Sequence, residues 1–480
     1  TYSLRRKDSS VNILFTFITF AALSSGALAQ SGLFVTTTDF ASGSAAYLPA
    51  GAQEAQTNLL NLHSDTIVRY YQGRIYVVNR LGQDNVLVLD ESDPRTPVLQ
   101  FSTGNGTNPH DIAFASPSKA YISRYDDTQV LIVNPQDGSE LGTIDLSAFA
   151  DVDGAPEMSQ MAVVGDRLYI ACQLQDRDAG YVPAAQGILV VVDTNTDQLV
   201  DMDPNTAGVQ AWSLTAGNPT SVVAAGNRLV VAEVAGYGDM AGGIEVLDLA
   251  NGTSQGLVIS EVALGGDINF LDLASADKAY VIVSDENFAN HVFPVDLANG
   301  TVGDKLANHS TGFTPSLAVD GKRLVVADRG TFSDPDTGGL LFYDTDTDQL
   351  IAGPISTGLP PSSIAVLSDA PVPVPTAVEG ETGLALPEQS DLGLAYPNPF
   401  NAETLIPFEI ASAQTSVELT VYDLLGRRVR TLFAGVLPAG EHRYTWDGRG
   451  DNGITASSGS YFVELRQGEK RQAQKMTLLK

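Results

Sequence analysis

Arg74-Ile-Tyr-Val-Val-Asn79 returns five more times with small changes. The copies are Lys119-Ala-Tyr-Ile-Ser123, Arg167-Leu-Tyr-Ile-Ala171, Arg228-Leu-Val-Val-Ala232, Lys278-Ala-Tyr-Val-Ile282 and Arg323-Leu-Val-Val-Ala327, spaced by 45, 48, 61, 50 and 45 residues. Each is a basic residue opening a run of β-branched, aromatic and small apolar residues, a composition that favours a strand. A short apolar strand precedes every copy. A third strand follows at 86–90, 130–134, 188–193, 244–248, 292–296 and 340–344, always closing on Asp or Asn. Turn residues such as Asn134-Pro-Gln-Asp-Gly138 then lead into a fourth strand. Four short strands at a period near 45, with almost no helical pattern, predict blades of a β-propeller. One such sheet cannot bury both faces. Stacking blades around an axis buries them, and closing the ring removes the end faces.

The first strand of the unit occurs seven times, at 66–70, 111–114, 160–163, 221–224, 270–273, 316–319 and 363–366. The seventh has nothing to pair with after it. Three strands without a unit stand at the other end, at 33–37, 45–48 and 57–62. The expected fold over 30–367 is therefore an all-β, seven-bladed β-propeller whose last blade joins three N-terminal strands to one C-terminal strand. A six-bladed ring with a separate N-terminal hairpin is the alternative. Asp193-Thr-Asn-Thr-Asp-Gln-Leu-Val200 and Asp344-Thr-Asp-Thr-Asp-Gln-Leu-Ile351 resemble the recurrent turn of YncE-like and surface-layer-type propellers. That resemblance implies a fold, since the family hosts many unrelated roles.

The 480 residues carry 27 basic and 57 acidic side chains, a formal net charge of -30. Residues 392–480 hold 10 basic and 9 acidic residues, so the acid lies in the long middle segment. A field of that sign repels phosphate backbones and argues against a nucleic-acid partner. It suits solubility in a salty or extracellular medium, or a cationic ligand. One cysteine, Cys172, excludes an intramolecular disulfide framework and any cysteine-cluster metal site. Its expected role is that of a small buried apolar residue.

Residues 1–29 read as an export signal. Arg5-Arg6-Lys7 is followed by a mostly apolar run over 11–23, and Ala27-Leu28-Ala29 fits the small-residue cleavage pattern. The run is too short for a confident membrane span, and no second long apolar run follows, so no span is expected in the mature chain. Residues 368–391, with Pro371, Pro373, Pro375 and Pro387, read as an extended linker.

From 392 onward the composition changes to short alternating strands and turns, predicting a β-sandwich. Its ordered motifs are Tyr396-Pro397-Asn398-Pro399-Phe400-Asn401, a turn around Gly426, Tyr444-Thr-Trp446-Asp-Gly448, and Gly459-Ser-Tyr461-Phe-Val463. These resemble the FlgD-type immunoglobulin-like domain that serves as a C-terminal sorting signal of type IX secretion. The resemblance implies transit through the periplasm, contact with the type IX secretion machinery, and a secreted or outer-surface destination. Ala402-Glu403 stands where the family often has a proline, and Gly450-Asp451-Asn452 varies a turn. Arg449-Gly450-Asp451 matches an integrin-type tripeptide, but its expected role is a turn.

In a propeller, the loops between strands two and three share one face with the lead-in loops to strand one. Here the former are uneven, and those at 173–186, 233–242 and 328–338 are long. Asn108-Pro-His110-Asp111 places His110 near the mouth, with Arg80 and Arg124 approaching and Glu233, Asp285 and Asp328 across the ring. Carboxylates with one His there could hold calcium, an amine or a sugar. No G-x-S-x-G elbow, P-loop, dinucleotide fingerprint or paired-His metal spacing is present. The metal-linked His and Glu sets of streptogramin-lyase-like and lactonase-like propellers find no residue-by-residue match. The expected function is a secreted or cell-surface binding or adhesion module with an unknown glycan, small-molecule or protein ligand. The alternative is a secreted hydrolase or lyase with an acidic, calcium-dependent mouth.

Overall fold

The computed structural model describes residues 30–369 except 332, 333, 335 and 336. Of the C-terminal part it describes 391–392, 400–401, 404–410, 416–423, 427–436, 440–451, 454–467 and 470–478. The signal segment, most of the Pro-rich stretch, Pro397, Asn398, Pro399 and Gly426 lie outside these residues. The chain divides into two compact units at residue 375.

The first unit is a seven-bladed propeller. Six antiparallel sheets follow one another in sequence, each built from neighbouring strands. Their innermost strands are Thr66–Tyr71, Pro109–Ser116, Met158–Val164, Pro219–Ala225, Asp267–Leu273 and Leu317–Asp320. The seventh sheet combines the chain's two ends: Gly32–Thr38 pairs with Gly43–Leu48 on one side and with Pro361–Leu367 on the other. Residues 56–62 line its outer edge through bridges of Gln56 to Tyr47 and Leu62 to Gly43. Innermost strands neighbour one another all the way round, so the ring is closed.

Period-two alternation explains the core. In Arg74–Asn79, Ile75 and Val77 face the seam blade and pack with Phe34 and Ala45, while Tyr76 and Val78 face the second blade and pack with Ile112 and Ile122. Each of the seven blade interfaces has its own apolar cluster of this kind.

The innermost strands have a free edge toward the channel. Side chains of one blade cap backbone N–H groups of the next. Asp111 accepts from Met161 N at 2.9 Å, Gln160 from Val222 N at 3.3 Å and Ser221 from Leu271 N at 3.3 Å. Asp272 accepts from Val319 N at 2.8 Å, and Ser363 of the seam blade from Val68 N at 3.2 Å.

The opposite rim explains the repeated basic residue and the Asp-Thr-x-Thr-Asp turn. Lys119 Nζ reaches Asp197 and the Thr194 carbonyl of the next blade, both at 2.9 Å, and Tyr121 donates to Asp197. Lys278 and Tyr280 repeat this arrangement on Asp348 and Thr345. The family-like turn is thus the receiving half of an inter-blade latch. Asp197→Ala is expected to lower propeller stability by about 1–2 kcal/mol, read by denaturant unfolding. Asn195→Ala in the same turn should do little.

The third blade accounts for the 61-residue spacing. It carries an extra hairpin, Gln175–Asp176 with Val182–Pro183, and an excursion at 200–211 before Trp212–Ser213 returns to the sheet.

The second unit is a β-sandwich. One sheet holds Asp391–Leu392, Thr404–Ile410 and Gly440–Trp446; the other holds Arg428–Val436, Ser416–Asp423, Gly459–Gln467 and Lys470–Leu478. Trp446 is fully buried between Phe400 and Tyr461, with ring centroids 5.5 and 5.0 Å away. Its indole donates to the Arg449 carbonyl at 2.8 Å, and Tyr461 donates to the Ser457 carbonyl at 2.7 Å. Asn401 is exposed, and Gly459 opens its strand.

Candidate functional site

The mouth face carries the loops between strands two and three and the lead-ins to strand one. It holds a cleft of about 920 Å³ over the fifth, sixth and seventh blades. Phe288 comes from the fifth blade's loop, Phe313 from the lead-in to the sixth, and Phe40 from the turn between Gly32–Thr38 and Gly43–Leu48. All three rings are exposed: Phe288 86%, Phe40 68% and Phe313 53%. Phe40 and Phe313 lie 6.4 Å apart. Beneath Phe40, the Arg329 guanidinium sits 4.3 Å from the ring centroid. Arg329 is nearly buried and donates to the carbonyls of Thr38 at 2.7 Å and Pro361 at 3.3 Å, tying the seam to the sixth blade. Backbone edges at 356–361 complete the wall.

Two sequence-predicted residues hold this cleft's loops. Asp285 accepts from Asn287 N at 2.9 Å and Ala289 N at 3.0 Å, bracketing Phe288, and meets His291 Nε2 at 3.1 Å. The His291 contact foremost keeps its carboxyl below the usual range. Asp328 is 3% exposed; it accepts from Ser310 N at 2.7 Å, from the Ser310 hydroxyl and from Gly330 N at 2.9 Å. It therefore links the loop bearing Phe313 to the one bearing Arg329.

The remaining predicted residues stand elsewhere on the mouth face. Arg80 pairs with Asp65 at 2.8 Å. His110 stacks on Tyr125, centroids 4.2 Å apart; burial, then the Arg80 charge, holds it well below the usual histidine range, so it is neutral at pH 7. Arg124 is engaged with the Gln129 carbonyl at 2.6 Å and Asp127 at 3.1 Å. Glu233 is fully buried in the fourth blade, accepting from Ala216 N at 2.5 Å beside Glu245. The six residues do not converge on one point: Arg80 and His110 form one group, Arg124 is held by Gln129 and Asp127, Asp285 and Asp328 flank the cleft, and Glu233 is internal.

Among the described residues, one group of three acidic side chains has oxygens within 4.8 Å of one another: Asp151, Asp153 and Glu157. Arg177 already supplies a cation there, 2.8 Å from Asp153 and 3.4 Å from Glu157. Cys172 is fully buried, and burial pushes its thiol pKa up.

Burial pushes Glu233 up to about 9, helped by the neighbouring Glu245, and pushes Glu157 up to about 8. Both folded values exceed the unfolded one. The folded state therefore binds protons that the unfolded chain releases above about pH 4.5, and stability falls as pH rises through the window up to about 9. His110 has the opposite sign and costs stability only below its ordinary range. The melting temperature is expected to be higher at pH 6.5 than at pH 9. Glu233→Gln should narrow that gap, raising the pH 9 value by on the order of a few degrees. Differential scanning calorimetry at the two pH values checks both.

Residues 398–470 match the FlgD Ig-like domain. Over 88 residues the chain is 36% identical to the basal-body rod modification protein FlgD of Salmonella typhimurium, covering 18% of this chain and 35% of that protein. Over 64 residues it is 44% identical to Escherichia coli FlgD, covering 13% and 28%. The chain thus spans about a third of the length of the curated relatives it matches. Among solved structures it is similar to PorZ of Porphyromonas gingivalis, an essential surface component of the type-IX secretion system, with 14% identity and a TM-score of 0.41 over 91% of this chain and 63% of PorZ. It is similar to AztD of Citrobacter koseri at 11% identity and a TM-score of 0.45, over 70% and 98%. No helix among the described residues is long and apolar enough to cross a membrane. The chain is therefore a seven-bladed β-propeller followed by an Ig-like domain similar to that of FlgD.

Proposed function

We propose that this chain is an exported, non-enzymatic binding propeller, delivered to the medium or the outer cell surface by its C-terminal domain. The observation that carries the binding role is the cleft in which Phe40, Phe288 and Phe313 expose their rings around Arg329. Apolar side chains converging on a concave site from three blades are the usual make-up of a ligand pocket. In this reading Asp285 and Asp328 are positioning groups for the cleft loops, and Arg80, His110 and Arg124 shape the first two blades' part of the mouth. The export role is supported by the signal-like N-terminus, the ordered tail motifs and the FlgD-type match.

Binding is tested by screening glycans, peptides and small amphipathic molecules against the full chain and its Phe288→Ser variant. A ligand of this site should bind about 10–100-fold more weakly to the variant. A ligand indifferent to Phe288, Phe40 and Phe313 together would remove the cleft from the reading. Export is tested by fusing residues 392–480 to a periplasmic reporter in a bacterium that possesses type IX secretion. The reporter should reach the surface or medium, and retention in the periplasm would sink that half.

A further inference from the structure

The cleft is one part of a wider pattern. Every exposed aromatic side chain of the propeller among the described residues stands on the mouth face: Phe40, Tyr181, Tyr237, Phe288 and Phe313. Leu81, 61% exposed, joins them on the first blade's loop. They come from different blades around the ring, so no single small ligand can touch them all.

The backbone beneath them is strained in the same places. Phe40, Leu81, Tyr181 and Phe288 adopt φ of 70°, 43°, 63° and 61°. That region is unfavourable for bulky side chains, and such residues persist where the surroundings or function require them. Of the propeller's non-glycine residues with positive φ, all but Asn58, Gln72, Asp197 and Asp348 lie in mouth-face loops. At four of these six positions the chain thus holds an exposed apolar side chain on a backbone conformation that bulky residues rarely adopt.

Charge surrounds these side chains. The same loops expose Asp39, Asp178, Asp239, Glu286 and Asp334, together with Asp126, which pairs with the half-buried Arg177 at 2.9 Å; the other cations there are the half-buried Arg80, the exposed Lys305 and the buried Arg124 and Arg329. Apolar anchors set in an acidic rim complement a surface of apolar side chains set among Lys and Arg. A neutral sugar would not use the rim, and an anionic ligand would be repelled by it.

We infer that the mouth face docks a basic protein, which inserts apolar or aromatic side chains among Leu81, Tyr181, Tyr237 and the three phenylalanines of the cleft. This rests on the binding-module reading and adds the partner's chemistry. An interface of this extent suits a protein partner, for which stable contacts bury about 800 Å² per side.

The test uses the full exported chain and three synthetic dodecapeptides at about 0.15 M salt: alternating Arg–Trp, alternating Glu–Trp and alternating Arg–Ser. The Arg–Trp peptide should bind at least tenfold more tightly than either other peptide. The double variant Tyr237→Ser/Phe288→Ser should lose at least tenfold of that affinity. Leu141→Ser/Ile351→Ser, which alters exposed apolar residues on outer strands, should lose none. All four positions are exposed, and melting curves verify that each variant is folded.

Equal binding of Arg–Ser would reduce the effect to bulk charge and overturn the inference. Equal binding of Glu–Trp would overturn the basic partner. A neutral oligosaccharide that binds and is lost with Phe288→Ser, while the Arg–Trp peptide is unaffected, would overturn the partner class and leave the binding module standing.

Discussion

A chain that ends at Pro360 is expected to lose cooperative unfolding of the propeller, whereas one that ends at residue 375 keeps it. The seven residues Pro361–Leu367 form the innermost strand of the seam blade. Removing them leaves Gly32–Thr38 with a bare edge, and Phe34, Leu33 and Val35 lose a face of their packing. The loss reaches further than one strand. Ser363 no longer caps Val68 N, and Arg329 loses one of its two carbonyl acceptors. The sixth blade would lose Ile364 and the first blade Ala365 and Leu367 from their cover, exposing apolar surface that favours aggregation. A milder version is Phe34→Ala, at a fully buried position, which should cost about 3–5 kcal/mol. Urea unfolding followed by tyrosine fluorescence reads both. A sharp, unshifted transition for the chain ending at Pro360 would show that the closure contributes little.

The second large effect is confined to the tail. Trp446→Ala should destabilise the Ig-like unit by about 3–5 kcal/mol. The indole fills the space between Phe400 and Tyr461, and its N–H is the donor to the Arg449 carbonyl. Substitution therefore leaves a cavity and removes the indole donor from the Arg449 carbonyl at once. Calorimetry of the full chain should show one transition lowered by more than 10 °C, on the scale of about 4–8 °C per kcal/mol for a domain of this size. The propeller transition should stay in place. In the export assay the same variant should fail where Trp446→Phe is partly tolerated. If both transitions fall together, the two units are energetically coupled and the assignment of the effect to the tail is wrong.

The blade count and the seam were legible because they depend on features that recur locally. A basic residue opens each second strand, alternation sets each strand's two faces, and an unpartnered strand at 363–366 needs the unpartnered strands at 33–62. The tail's core was legible for a similar reason: Trp446 and Tyr461 sit in short motifs with fixed order. The cleft was not legible. Phe40, Phe288 and Phe313 look in sequence like any other apolar residue near a strand, and only the closed ring brings residue 40 beside residue 313. Loop lengths and a phenylalanine flanked by Glu286, Asn287 and Ala289 were the only signals available. The carboxylates were read as a set because each stands in a loop between strands two and three, yet loop position does not reveal whether a backbone N–H already occupies each one. Glu233 and Asp328 are so occupied. Glu245, which shares the interior with Glu233, sits inside an apolar strand and gave no warning.

The seam also sets a timetable. Synthesised from its N-terminus, the chain makes Gly32–Thr38 and Gly43–Leu48 early, but their closing partner arrives roughly 300 residues later. At about 5–20 residues per second, that is a wait of some 15–60 seconds. During it the staples between blades can form in order, each from one blade to the next, but the last, from Ser363 to Val68, cannot. The ring therefore stays open until its final strand is made.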